Sequence, residues 1–499
     1  MIYSYSPFGY EGSIVNVEVD VRRGIPAIDI VGLADSEVKA CRERVRAGFN
    51  NQRIDFPAER VLISLSPADL KKEGAGFDLP VAIGIMVEQF GWDIHKQLFA
   101  MGEVELSGSL RPARAVKAGV STALAMGVEY AILPYTTQDL QLPEGVKVAF
   151  VSTLTEVYNT LENMSNGIYT DFNIVLKKQK EEEIVFPEIY EGDTTLDDVK
   201  GMQGLKFAMA VACAGRHNIM AVGSPGCGKT LVLQKMYQLT PKLLPDEKPS
   251  VERIYSIAGL EGFPRNDERP FRMPHQTASI EGICGGGPYC RPGEITLAHN
   301  GILFLDEAAE FRSSVLQMLR VPLETHQITL ARAGRSTVYP ANFQLVMAVN
   351  PCPCGNFGNK ERVCLCSAKS VDQYWHKFSA PLLDRVDIRY NCNELDNWAT
   401  YTEDELKEQI KRAWVTQLKR QNALNSQLNE ADAIRYIELD GFAEHHLARY
   451  AEEKELSPRA VASIRKVART VQDMTDGYKE VNDISLSIAL KLRGRLHFD

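Results

Sequence analysis

The octapeptide Gly223-Ser224-Pro225-Gly226-Cys227-Gly228-Lys229-Thr230 fits the pattern G-x-x-x-x-G-K-[ST], whose chemistry is the holding of phosphate. Its glycines let backbone N–H groups close around phosphate oxygens. Lys229 then supplies a cation for the β- and γ-phosphates, and the Thr230 hydroxyl is suited to ligate Mg²⁺. Downstream, Gly301-Ile-Leu-Phe-Leu-Asp306-Glu307 ends an apolar run in two adjacent carboxylates. Asp306 suits a water-mediated hold on Mg²⁺, and Glu307 suits the orientation or deprotonation of a water. A third run, Phe343-Gln-Leu-Val-Met-Ala-Val-Asn350, ends in an amide that would help place that water. These residues, in this order, predict hydrolysis of a nucleoside triphosphate, with ATP and Mg²⁺ as the bound groups.

The elements needed to position them are present. Residues 219–222 form a short apolar strand before the loop, and 230–236 continue as a helix. The 301–305 run suits a buried parallel strand that is apolar on both faces. Arg385 lies on a turn in Pro381-Leu-Leu-Asp-Arg-Val-Asp387, where it could be presented to a neighbouring subunit's phosphoryl group. In Ser457-Pro458-Arg459 the serine is an N-cap and the proline the first helical residue. A cation at that helix start gains nothing from the dipole, so a phosphate partner would account for Arg459.

At 499 residues the chain is long enough for two or three domains, and its composition (44% hydrophobic, 24% charged) is that of a globular protein. No secretory signal opens it and no run of 18 apolar residues interrupts it, so a cytoplasmic protein without a membrane span is expected. The net charge of −9 argues against a broadly basic, DNA-wrapping surface, so any nucleic-acid contacts must be concentrated in a channel or loop. Valines at 15, 17, 19 and 21 alternate with polar residues, which predicts a strand with one wet face. Further strands are expected at 28–31, 61–65, 98–106 and 146–151, and helices at 36–49, 79–90 and 116–126. The fold class expected is multidomain α/β. An α+β domain spans 1–170, a charged linker 171–195, an α/β nucleotide domain 196–395, and a helical C-terminal lid 396–499.

Six cysteines (41, 213, 227, 284, 290 and 392) are scattered and read as small buried hydrophobes. The remaining four form Cys352-x-Cys354-x₉-Cys364-x-Cys366, two close pairs able to make a tetrahedral Zn²⁺ site, although one intervening residue is tight. Structural zinc is the preferred reading; a loop of reduced thiols and a redox switch are the alternatives.

Together these pieces resemble an AAA+ ATPase. Phe271-Arg-Met-Pro-His275, Ile283-Cys-Gly-Gly-Gly287, Arg291-Pro-Gly-Glu-Ile-Thr-Leu-Ala-His-Asn300 and Asn350-Pro-Cys-Pro-Cys-Gly355 are similar to the magnesium-chelatase-like ATPases of the ComM (YifB) family. That resemblance implies Asn350 as sensor 1, Arg385 as arginine finger and Arg459 as sensor 2. It also implies a homohexamer that drives DNA branch migration in recombination and natural transformation, alongside other recombination proteins. The family's Pro-His-His reads Pro274-His275-Gln276 here, so no role passes to the second histidine. Residues 327–338 read as a hairpin about Ala333-Gly334, flanked by Arg332 and Arg335, which by likeness to MCM helicases would line a central hole and track DNA. Arg272 and His275 are further DNA candidates. The segments 72–80 and 102–112 resemble the proteolytic domain of Lon, of ribosomal-S5-domain-2-like fold. Lys117 falls where Lon has its catalytic lysine, but Gly76 replaces the serine, so no peptidase is expected. A protein-remodelling or metal-chelatase-like ATPase that does not act on DNA is the competing reading.

Overall fold

The computed structural model describes residues 1–494 apart from 8, 9, 11, 34, 68, 69, 71, 73, 138, 139, 141, 176–183, 189–193, 261, 262, 288, 289, 333, 334, 360, 361, 394, 395 and 478, with 332 and 335 described by their backbone alone. The charge run 177–183 of the expected linker therefore lies outside the described residues.

The alternating valines build Ser13–Arg22, whose neighbours in an eight-stranded mixed sheet are Ile2–Ser6 and Arg60–Ser66. The helix Ser36–Asn51 is capped by Asp35, whose carboxylate accepts the Val38 N–H at 2.7 Å. It buries Val38, Cys41, Val45 and Phe49, the stripe its periodicity dictates. The 98–106 run is not one strand. Leu98–Ala100 joins the sheet, whereas Glu103–Val104 pairs with Leu110–Arg111 in a separate ribbon. The chain leaves the sheet at Gly102, pressed so closely under Pro134 that a Cβ there would lie 2.5 Å from its Cγ. The sheet's outermost strand, Asn173–Ile174, falls within the stretch expected as linker.

The second sheet has the order Phe271–Arg272, Ile302–Leu305, Gln344–Val349, Ile219–Val222, Ile388–Asn391, and every pairing is parallel. Its three inner strands are buried at every residue, as strands covered on both faces must be. The helix predicted over 230–236 divides at Lys235 into Lys229–Gln234 and Met236–Leu239. The C-terminal region is helical as expected, with Glu403–Gln421, Glu430–Tyr436, Gly441–Glu453, Pro458–Asp476 and Asp483–Leu492. It shares one core with the parallel sheet and with the helix Gln203–Gly215. The Trp414 indole donates to Cys213 O at 3.0 Å, and the buried His217 ring bridges Asp387 (3.2 Å) and Thr470 (2.7 Å). Burial would raise the Asp387 carboxyl, but hydrogen bonding and charge from His217, with Ser463, hold it below its ordinary value. Among the described residues no helix is long and apolar enough to cross a membrane.

The two sheets are joined by side chains. Lys117 forms an ion pair with Glu252 of the helix Lys248–Ala258, and both side chains are largely buried. The neighbouring Arg253 donates to Thr122 at 3.4 Å and stacks over the Tyr10 ring at 4.8 Å. At Gly76 a Cβ would meet Ala113 and Met101 at 3.2 Å, so a side chain there would need those neighbours to give way. Lys117 is thus a joint between layers. Lys117→Met should lower stability by roughly 2 kcal/mol in urea unfolding, because Glu252 is left charged and poorly solvated. Adding Glu252→Met should recover most of the loss; a double variant as destabilised as the two singles summed would contradict the pairing.

Candidate active site

Parallel strands deliver Gly223, Asp306 and Asn350 to one edge, since each directly follows Ile219–Val222, Ile302–Leu305 or Gln344–Val349. There the buried Lys229 ammonium donates to Asn350 Oδ1 at 2.9 Å and to Ser224 O at 3.4 Å. Both acceptors are neutral, so the cation keeps its charge for an incoming anion. Thr230 Oγ1 donates to Asp306 Oδ1 at 2.9 Å. A hydroxyl able to ligate directly and a carboxylate able to act through water are oxygen donors of the kind Mg²⁺ takes. Thr230 and Asp306 therefore fit a Mg²⁺ brought in with nucleotide. Gly226 and Gly228 have φ of 79° and 95°, conformations that the loop's curvature needs and that a side chain would strain.

Glu307 adopts φ 48°, a left-handed conformation uncommon for glutamate. Its N–H donates to Asp306 Oδ1 at 3.0 Å, and its carboxylate accepts Gln276 Nε2 at 2.6 Å. Gln276 was not assigned from sequence because it stands where the resembled family has histidine; only its proximity to Phe271–Arg272, the strand beside Ile302–Leu305, could have pointed to it. Asn393 was also missed. Its Oδ1 accepts from both N–H and Oγ of Ser224 at 3.2 Å and so fixes the loop's second residue.

Arg385 and Arg459 lie elsewhere. Both line a cleft with Asn218, Asn342, Asp387 and Glu324. Asn218, Asn342 and Asp387 precede strands of the sheet, so the cleft sits at the opposite edge from the phosphate loop. Four residues of strand put roughly 13 Å between the two edges. Arg385 donates to Glu324 and to Pro381 O, while Arg459 reaches within 3.9 Å of Glu324. The bond from Arg385 to Glu324, then the charges of Arg385 and Arg459, hold the Glu324 carboxyl below its ordinary value. Arg385 Nε is buried and has no hydrogen-bond partner among the described residues. The expected lid helix that starts at Pro458 therefore does not bring Arg459 to the chain's own loop.

The predicted hairpin forms from Gln327–Arg332 and Arg335–Pro340, with Arg332 opposite Arg335; its turn 333–334 and those two side chains lie outside the described residues. Arg272 is partly buried, and its guanidinium makes two bonds to Glu294 at 2.7 and 2.8 Å. His275 is exposed, with Nδ1 2.8 Å from Thr277 Oγ1.

Cys352, Cys354, Cys364 and Cys366 converge, with all four sulfurs within 4.8 Å of one another and three separations of 3.4–3.6 Å. Tetrahedral zinc with Zn–S near 2.3 Å requires sulfurs about 3.8 Å apart, so the cluster could hold Zn²⁺. The knuckle also braces the phosphate loop: Gly355 packs on Pro225, and Asn359 donates to Ser224 Oγ at 3.1 Å. The expected result is about one zinc per chain by elemental analysis, lost in Cys354→Ser/Cys364→Ser. Metal-free protein with four freely titratable thiols at these positions would contradict it.

Comparison with known proteins places the chain in a family. The model described as "Magnesium chelatase, subunit ChlI" matches residues 195–399, "Subunit ChlI of Mg-chelatase" matches 17–137, and "Magnesium chelatase, subunit ChlI C-terminal" matches 401–493. Competence protein ComM of Haemophilus influenzae is 33% identical over 99% of this chain and 97% of its own. YifB of Escherichia coli is 32% identical over 95% of this chain and 93% of its own. DNA replication licensing factor MCM4 of Arabidopsis thaliana is 26% identical over a shorter stretch, 33% of this chain and 18% of its own. With similarity running nearly end to end, the chain belongs to the ComM/YifB family of magnesium-chelatase-like ATPases.

Proposed function

We propose that this chain is an AAA+ ATPase that works as a ring-forming DNA motor and drives branch migration. The observation that carries the ATPase reading is the joint placement of Lys229, Thr230, Asp306, Glu307 and Asn350 at one sheet edge. Lys229 and the loop's N–H groups bind the phosphates, and Asn350, released from Lys229 as the anion arrives, orients a water. Glu307 takes that water's proton, with its carboxylate held in place by Gln276 until substrate binds. Mg²⁺ would neutralise developing charge on the β- and γ-oxygens.

Arg385 and Arg459, grouped at the other edge, cannot serve the loop of their own chain. They suit the γ-phosphate of an adjacent copy, for which Glu324 holds their place. Each site is then completed by the next subunit, a head-to-tail contact that a closed ring satisfies in every copy; the resemblance favours a hexamer. DNA is assigned to the Gln327–Pro340 hairpin. Support comes from the names of two relatives, a competence protein and a replication licensing factor. The family model's own description, a magnesium chelatase subunit, favours the second reading, a remodelling or metal-insertion ATPase.

Steady-state ATP hydrolysis with single-stranded, duplex and four-way-junction DNA separates them. Junction DNA should stimulate turnover several-fold, and Arg332→Ala/Arg335→Ala should remove that stimulation. Glu307→Gln should lower kcat by about 10²-fold or more. Hydrolysis indifferent to every DNA would move the assignment to the second reading.

A further inference from the structure

Of the six scattered cysteines, Cys41, Cys213, Cys284 and Cys290 are buried as expected, but Cys227 and Cys392 are only partly so. Cys227 lies in the phosphate loop. Cys392 directly follows Ile388–Asn391, and its N–H donates to Val222 O at 2.7 Å, one residue before the loop opens. A Cβ on Gly223 would sit 3.1 Å from Cys227 Sγ, 2.7 Å from Cys392 Cβ and 3.5 Å from Cys392 Sγ. The first glycine of the loop thus opens the space that the two thiols share. The neighbouring Cys392 thiol, then the Lys229 N–H and ammonium, hold Cys227 down to about 6 against the effect of burial. The same neighbour relation, together with burial, pushes Cys392 up. Two thiols that share one space and are shifted in opposite directions suit an attacking and a resolving cysteine.

We propose that Cys227 and Cys392 are a peroxide-sensitive modification site whose disulfide closes the phosphate loop to nucleotide. The inference rests on reading residues 223–230 as that loop. The Cys227 thiolate attacks one oxygen of hydrogen peroxide, the O–O bond breaks, and the leaving hydroxide takes a proton to become water. Cys227 is then a sulfenic acid. Cys392 loses its proton and attacks that sulfur; the S–S bond forms, the S–O bond breaks, and hydroxide leaves with the proton as a second water. Two thiols are oxidised and one peroxide is reduced to two waters. A disulfide draws its Cα atoms to within about 7 Å and its Cβ atoms to about 4 Å. It would tie the middle of the loop to the strand Ile388–Asn391 and withdraw N–H groups between Gly226 and Gly228 from a phosphate.

The test treats full-length protein with hydrogen peroxide, maps crosslinks by peptide mass spectrometry, and titrates a fluorescent N-methylanthraniloyl ATP before and after. The expected result is a 227–392 crosslink, at least a tenfold loss of nucleotide affinity, and recovery of both by dithiothreitol. Cys392→Ser should form no crosslink and should instead leave Cys227 as a sulfenic acid trapped by dimedone. Oxidation of other thiols with 227 and 392 still reduced would overturn the proposal, as would a crosslink with affinity unchanged. Reduced protein that bound no nucleotide would overturn the loop reading itself, whereas the crosslink result judges the thiol pair independently.

Discussion

Parallel pairing of Ile219–Val222, Gln344–Val349 and Ile302–Leu305 is the constraint on which the candidate chemistry depends. Antiparallel strands would scatter the residues that follow them to both edges; three parallel ones send Gly223, Asn350 and Asp306 to the same edge. Burial on both faces keeps the strands in register, because any slip would move a packed apolar residue out of its neighbours' contact. The same geometry collects Asn218, Asn342 and Asp387 at the other edge. There they meet Arg385 and the helix carrying Arg459. One sheet therefore presents two unlike edges, one suited to hold a phosphate chain and one that, on the proposed reading, approaches the phosphates of an adjacent copy.

The remaining architecture connects these edges to the outside. Tyr10, from the first sheet's side, donates its N–H to Thr337 at 3.0 Å and lies edge-on to Tyr339 at 6.0 Å. Both partners belong to the hairpin strand Arg335–Pro340, whose Tyr339 hydroxyl donates to Cys290 O at 2.9 Å. Arg253 stacks on Tyr10 next to the Lys117–Glu252 pair. The hairpin is thus held near its base by the amino-terminal layer, beside the Lys117–Glu252 pair.

Much of this was legible in the sequence because the relevant signals are local. The phosphate loop, the apolar runs ending at Asp306 and Asn350, the 3.6-residue stripe of Ser36–Asn51 and the two-residue alternation of Ser13–Arg22 each need only neighbours in the chain. What was not legible depends on sheet order or on contacts distant in sequence. Gln276 meets Glu307 only because Phe271–Arg272 pairs with Ile302–Leu305. Cys392 meets Cys227 only because Ile388–Asn391 lies beside Ile219–Val222. Arg272 pairs with Glu294, 22 residues further along the chain, a contact that no local pattern encodes. The run at 98–106 misled because apolar continuity does not reveal that Gly102 is trapped beneath Pro134.

The two-edged sheet makes subunit complementation the most direct measurement. Lys229→Ala disables the loop but leaves Arg385 and Arg459 intact, whereas Arg385→Ala/Arg459→Ala does the reverse. Each variant alone should hydrolyse ATP at no more than a trace. Mixed one to one and allowed to exchange subunits, they should regain about a quarter of wild-type hydrolysis, the fraction of interfaces that pair an intact loop with intact arginines. A mixture as inactive as its parents, or full activity in the arginine variant alone, would contradict a site shared between subunits.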